Sequence, residues 1–223
     1  MPGRLRIKNE FGKRAIEPES QNTKEVYLIS IASEGKTEEQ YFDGIHDLDS
    51  SEIIKVERLE KRDETDTKSH PNHVIDLLDE RKEYWIEHGI EANELWMVVD
   101  RDRQNVSKEQ LNSIIDKCKL EGYNLALSNP TFELWLLLHL TDLQKYSLDG
   151  LINNDKVNKT RRFIDKELSI ILKGYNKKNL KFERFENGIN DAIIRAKNMQ
   201  VNNENLINEL GTSVCLLIEK LIK

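Results

Sequence analysis

Five side chains have types and spacing that could do chemistry. Asp100 and Asp102 sit in the run Val98-Val99-Asp100-Arg101-Asp102, Glu34 follows a short apolar run, and Asn129 and Glu133 flank Pro130. Along an extended backbone alternate side chains share a side, so Asp100 and Asp102 would project together, about 7 Å apart at their Cα atoms. Two carboxylates so placed repel each other unless a cation is near, and a hard divalent ion with oxygen ligands is one solution. A solvated turn, or an N-cap for the next helix, is the plainer one. Glu133 raises a related question, because a carboxylate one turn into an apolar helix is costly if buried and unpaired. Either it meets the positive helix end at the surface, worth about 0.3–1 kcal/mol, or it faces one crevice with Glu34, Asp100 and Asp102. Asn129 reads as a turn former, or as an oxygen ligand or substrate donor.

The elements that must position these groups alternate in type. Val26–Ile31 predicts a buried strand, and Ser33-Glu34-Gly35 a tight turn into a helix that Thr37 can cap. Glu34 would then emerge beyond the carboxyl end of a strand, where ligands collect in α/β sheets. Ile53–Leu59 predicts a second strand, followed by a polar loop to Pro71. Helical spacing of Val74, Leu77, Leu78 and Trp85 predicts a helix from Pro71 to His88, stopped by Gly89. Leu95–Val99 is a central strand. A helix from Ser107 to Glu121, ended by Gly122, precedes a strand at Asn124–Leu127. Pro130 suits a first helical turn, and the all-round apolar run from Phe132 to Leu140 predicts a buried helix. Strand and helix alternation gives an α/β fold with a mainly parallel sheet.

Composition sets the bounds. A chain of 223 residues with 33% charged and 38% hydrophobic residues can build one sizeable core. Residues 1–24 read as a basic arm, 25–140 as the α/β core, and 141–223 as a helical part packing on it. Cys118 and Cys215 fall in helical apolar patterns, predicting buried thiols rather than a disulfide or zinc site. No spanning apolar run or leader pattern is seen, so a cytoplasmic protein without a membrane partner is expected. The net charge of −6 speaks against indiscriminate coating of nucleic acid, yet a local surplus is present. Between Lys156 and Arg184 lie Lys159, Arg161, Arg162, Lys177, Lys178 and Lys181, interleaved with Phe163, Tyr175, Phe182 and Phe185. That segment could follow a phosphate backbone with aromatics stacking on bases, or be an ordinary helical face with Phe163, Leu168 and Ile171 turned to the core. His139 is expected to be packed rather than catalytic.

The segments SEGKTEEQYF, VVDRD and SNPTFELWLLLHL resemble those of the RloB-like family, whose fold is similar to the Toprim domain of topoisomerases, primases and certain nucleases. The glutamate and Asp-x-Asp pattern is general to Toprim domains, whereas SNPxFELWLLLH is far more specific. The likeness runs from about Val26 to Leu140, and GTSVCLLIEKL, with Thr212, Ser213 and Val214, resembles the family's last helix. Between Thr141 and Leu210 it is loose.

The resemblance implies a Toprim-like fold with a divalent metal site, magnesium or alternatively manganese, held by Glu34, Asp100 and Asp102. Glu34 would also serve as general base, and Glu38 and Glu133 are further ligand candidates. It implies a nuclease, acting on RNA such as transfer RNA in preference to DNA. The partner would be an AAA- or ABC-type ATPase in antiphage abortive infection, and a homodimer is compatible with this. Lys177, with Lys178 as its rival, would stabilise the transition state. Substrate contacts are expected from Asn129, Arg101, Arg103, Lys178, Arg161 and Arg162. Two other classes compete: a non-catalytic metal-binding module of a defence ATPase, and a primase-like polymerase, which the lack of a recognisable nucleotide-binding loop disfavours.

Overall fold

The computed structural model describes residues 27–33, 35–48, 54–59, 71–90 and 94–222. The expected arm at 1–24, Glu34 and most of the loop before Pro71 lie outside these residues. Four strands, Tyr27–Ser33 (β1), Ile54–Arg58 (β2), Glu94–Asp100 (β3) and Asn124–Asn129 (β4), pair in parallel in the order β2-β1-β3-β4. Gly211–Thr212 (β5) adds to β4 antiparallel. The connecting helices are Lys36–Leu48 (α1), Pro71–His88 (α2) and Lys108–Glu121 (α3).

Crossover handedness explains the layers. The step from β1 to β2 runs one way across the sheet, and the steps to β3 and β4 run the other. Right-handed crossovers therefore put α1 on one face and α2 and α3 on the opposite face. The strands bury both sides accordingly. Trp96, Val98 and Ala126 pack with Tyr41, Phe42 and Ile45 of α1, whereas Met97, Val99, Leu125 and Leu127 pack with Leu78 of α2 and Leu111 and Ile114 of α3. The result is an α/β architecture with an open, mostly parallel sheet, compatible with a Toprim-like fold. Its strand order reverses between β1 and β3, which places a crevice at their carboxyl ends.

Local signals set the boundaries. Ser107 caps α3, accepting from Gln110 N at 3.1 Å, and Gly122 at φ 77 ends it in a conformation that a side chain would resist. Both β1 and β4 run two residues beyond the apolar runs that announce them. Ser128 continues β4 because its hydroxyl meets Thr212 Oγ1 at 2.9 Å across β5. Two corrections fall after it. Pro130 precedes the N-cap Thr131 of helix Phe132–Leu140 (α4) instead of opening the helix, and its carbonyl accepts Asp102 N at 3.3 Å. The part at 141–223, expected to be helical, also contributes a strand. The chain forms Ile189–Lys197 (α7), a short turn Asn203–Leu206 (α8), β5 and Val214–Leu221 (α9), after Leu148–Asn153 (α5) and Phe163–Ile171 (α6). Gly211 fits this strand, since a Cβ there would stand 2.1 Å from Gln200 O.

The apolar helix α4 is enclosed by β4, α6, α7 and β5, so Trp135, Leu136 and Leu137 are wholly buried. All-round enclosure is why α4 lacks a polar face. Cys118 and Cys215 are free and buried, as their patterns predict. Among the described residues no helix is long and apolar enough to cross a membrane.

His139 lies inside this packing. Its Nδ1 stands 2.9 Å from Trp135 O and its Nε2 3.0 Å from Tyr41 Oη, so the neutral ring donates through Nδ1 and accepts from the tyrosine. Burial, reinforced by Arg195 and opposed by the bond to Trp135 O, pushes its pKa from 6.5 down to about 4. An unfolded chain would take up this proton below about pH 6.5 while the native protein resists it until about 4. Stability from His139 is therefore complete above pH 6.5 and lost as pH falls toward 4. Urea unfolding should show about 2 kcal/mol less stability at pH 5 than at pH 7 from this residue. His139→Gln should flatten that part of the profile; an identical slope in both proteins would remove the assignment.

Candidate active site

The carboxyl edge of the sheet gathers acids from separate elements. Asp100 ends β3 in register with Ser128, and Ser33, which ends β1, is in register with Val98. Alternation from Trp96 and Val98 turns Asp100 toward the α1 and α4 face and Arg101 to the other. Arg101 fits that placement: it is buried, with Nε donating to Ile207 O at 3.0 Å and Nη1 to Val106 O at 2.7 Å. Asp102 lies beyond the strand and opens the turn at 102–105. Its Oδ1 accepts from Gln104 N at 3.3 Å and its Oδ2 from Asn105 Nδ2 at 2.6 Å, and it stands 3.7 Å from Arg162 Nη2. The plain reading of Asp102 as a turn residue is thus realised, while Ser107 supplies the N-cap. A rim position beside a cation remains with it.

Three further acids come from helix first turns. Glu38 of α1, Glu133 of α4 and Asp165 of α6 are all buried, each where the positive end of its helix offsets part of the cost. Lys177 lies between two of them, with Nζ 2.9 Å from Glu133 Oε1 and 3.1 Å from Asp165 Oδ1. Tyr175 Oη donates to Glu133 Oε1 at 3.3 Å. Burial alone would lower the Lys177 pKa, but Glu133 and Asp165 outweigh it and keep the ammonium charged. Glu133 is likewise held ionised by Lys177 against burial. Burial and the Glu133 charge push Glu38 up to about 7, and the same two causes raise Asp165. One lysine therefore serves an acid cluster larger than it can neutralise.

The loop carrying Lys177 is fixed from α1. Thr37 Oγ1 donates to Lys177 O at 3.2 Å, Gln40 Nε2 to Lys178 O at 3.1 Å, and Leu180 N to Gln40 Oε1 at 2.6 Å. Close packing supports the anchor: a Cβ on Gly44 would meet the Phe182 ring at 2.1 Å.

Set against expectation, the structure joins Lys177 with Glu133 and brings Glu38 near them, and places Arg162 at Asp102. Glu34 lies outside the described residues. Arg101 and Asn129 are buried and donate to backbone carbonyls. The buried Asn129 amide donates to Leu206 O at 2.7 Å and Glu209 O at 2.9 Å, tethering the carboxyl-terminal segment to β4. Arg103 Nη2 bonds Asn208 O at 3.0 Å, away from the cluster, and Lys178 extends an exposed side chain. Arg161 is exposed and bonds Ser169 Oγ at 2.8 Å. Asp165 was not foreseen. Its signal resembles that of Glu133, an acid in the first turn of a helix that packs on the core, and its Oδ2 accepts from Arg162 N at 3.1 Å.

Among the described residues no three His, Cys, Asp or Glu groups stand close enough to hold a metal ion by themselves. Asp100 and Asp102 are nevertheless carboxylates, the donor type that a hard divalent cation takes, at the carboxyl end of β3 where the strand order reverses.

Two stability tests follow. Lys177→Met leaves Glu133 and Asp165 without their cation and should cost about 1–3 kcal/mol. This is below the range for a fully buried pair because the lysine side chain is 43% exposed. Adding Glu133→Gln should recover part of the loss in urea unfolding. Asn129→Ala should cost about 2 kcal/mol by stranding two carbonyls, with resistance to proteolysis falling in the segment around Leu206.

The match to known proteins agrees with this architecture. The family model described as RloB-like protein matches residues 29–221. No curated protein and no solved structure matches the chain. A match over so much of the sequence, on an α/β core carrying the acidic edge, places the protein in the RloB-like family.

Proposed function

We propose that this RloB-like protein is a magnesium-dependent nuclease hydrolysing phosphodiester bonds, RNA such as transfer RNA in preference to DNA. It would act as the toxic effector of an antiphage abortive-infection system whose other component is an ATPase. One observation carries the reading: Asp100 ends a central parallel strand at the reversal point of the sheet, with Asp102 two residues on beside Arg162, and Glu133 in the first turn of α4 beside Lys177. Asp100 and Asp102, with Glu34, would hold the ion, which when bound supplies charge neutralisation at the phosphate and acidifies an attacking water.

The protein's own groups have separate tasks. Lys177, charged and partly exposed, is placed to meet negative charge growing on a phosphate oxygen, and Glu133 and Asp165 aim it. Arg162, beside Asp102, offers donors to the phosphate backbone. Tyr175 holds the Glu133 carboxylate and thereby the lysine. A non-catalytic module bound to the ATPase is the second reading. It is favoured by Asp102, whose two carboxylate oxygens already serve the 102–105 turn.

Cleavage separates the two. A mixed pool of transfer RNA, messenger RNA and plasmid DNA is incubated with the native chain or Asp100→Ala, with magnesium or chelator, and with the neighbouring ATPase added. The nuclease reading expects magnesium-dependent cutting, reduced about a hundredfold or more in the variant. Equal inertness of both proteins while both bind the ATPase would establish the module.

A further inference from the structure

The anchored loop at 174–180 has two sides. One carries Lys177 to the acids; the other lines a cavity of about 310 Å³. That volume lies at the small end of the roughly 300–1,000 Å³ typical of ligand sites. Its floor is apolar, formed by the buried side chains of Leu172, Leu180 and Phe185. Tyr175 joins the two sides, its ring lining the cavity while its hydroxyl bonds Glu133. Exposed amides of Asn176 and Asn179 stand at the rim.

Charge narrows the ligand. Among the described residues, Arg161, Lys181 and Arg184 line the cavity and no carboxylate does. Arg184 is engaged by its own loop, donating to Gly174 O at 2.9 Å and to Leu172 O, so it reads as a wall. Arg161 spends one guanidinium nitrogen on Ser169 and keeps further donors, and Lys181 is exposed. An apolar floor accepts a flat ring, amides can read the edge of a base, and cations suit its phosphate. Tyr175 packs against the core as Phe163 and Phe182 do, but of the three it is the one that also lines the cavity, beside the buried Phe185.

We propose that this cavity is a nucleotide subsite. It takes the base of one unpaired nucleotide against Tyr175 and the apolar floor, with Asn176 and Asn179 at the base edge and Arg161 and Lys181 at the phosphate. Because one short loop carries both Lys177 and the cavity wall, the captured base sets which neighbouring bond of the strand reaches the acidic edge. This selection of the bond rests on the nuclease reading; occupancy of the cavity does not.

The test is equilibrium binding with full-length protein in chelator, so that no cleavage enters. The probes are a labelled single-stranded oligoribonucleotide, the same strand made abasic at each position in turn, and free nucleoside 5′-monophosphates. One abasic position should weaken binding at least about tenfold. The exposed double variant Arg161→Ala/Asn179→Ala should lose as much on the intact strand and no longer respond to that abasic site. Tyr175→Phe, which retains the ring, should bind better than Tyr175→Leu. Asp100→Asn should keep the abasic response, so a failed nuclease reading is distinguishable from a failed subsite. Competition by a monophosphate without any abasic effect would overturn the strand assignment in favour of a free nucleotide. An abasic series with no preferred position, no competition and an unaffected double variant would overturn the subsite altogether. Circular dichroism of each variant confirms that the fold is retained.

Discussion

The contact on which the acidic edge depends is that of the Lys177 ammonium lodged between Glu133 and Asp165. It joins three stretches distant in sequence, α4, α6 and the loop at 174–180, at a point where burial alone would drive every member toward neutrality. Helix first turns make the arrangement tolerable, since α4 and α6 each present a positive end to their own acid. Neither acid would stay ionised easily without the lysine. The lysine in turn has no comparable site without the anchor of its backbone to Thr37 and Gln40 of α1.

That mutual dependence shapes the fold beyond it. Once α4 is fixed on the sheet it is apolar on all sides and must be covered, and α6, α7 and β5 supply the cover. The carboxyl-terminal part is therefore fused to the core rather than hung from it. β5 extends the sheet, and Asn129 grips the carbonyls of Leu206 and Glu209 from the end of β4. The basic stretch at 156–184 has two sides. Ile164 and Leu168 face the core, while Arg161, Arg162 and Lys177 stay at the edge.

Much of this was legible in the chain because it was written in local signals. Alternating apolar runs located the four parallel strands, and Ser107 and Gly122 bracketed α3 almost to the residue. The misses share a cause: each depended on a partner far away. Gly211–Thr212 is too short to announce a strand and forms one because Ser128 and Asn129 await it. Arg101 looks like a phosphate contact beside two aspartates, yet the pleat sends it to the opposite face, where Ile207 and Val106 carbonyls need donors. Asp165 escaped notice because its value lies in Lys177, twelve residues on by sequence number and adjacent only after α6 has packed. The family resemblance could name Asp100 and Asp102. It could not show that Asp102 also organises a turn.

On the proposed nuclease reading, a site built from carboxylates must still admit an anionic strand, and the charge arithmetic then gives the attached basic segment a role. Glu38, Glu133 and Asp165 together outnumber Lys177, so the edge repels phosphate unless a bound dication or neighbouring cations reverse the field. Arg162 at Asp102 and Arg161 by the cavity extend positive charge outward from the acids. The contacts that order the edge are thus partly the contacts that would attract a substrate. Removing Lys177 disturbs folding and chemistry together, because its charge is spent on both. Arg161 and Asn179, exposed and outside the acid cluster, can be changed without stranding a buried charge. Recognition of the strand and assembly of the acidic edge are therefore physically separable, even though one loop carries both.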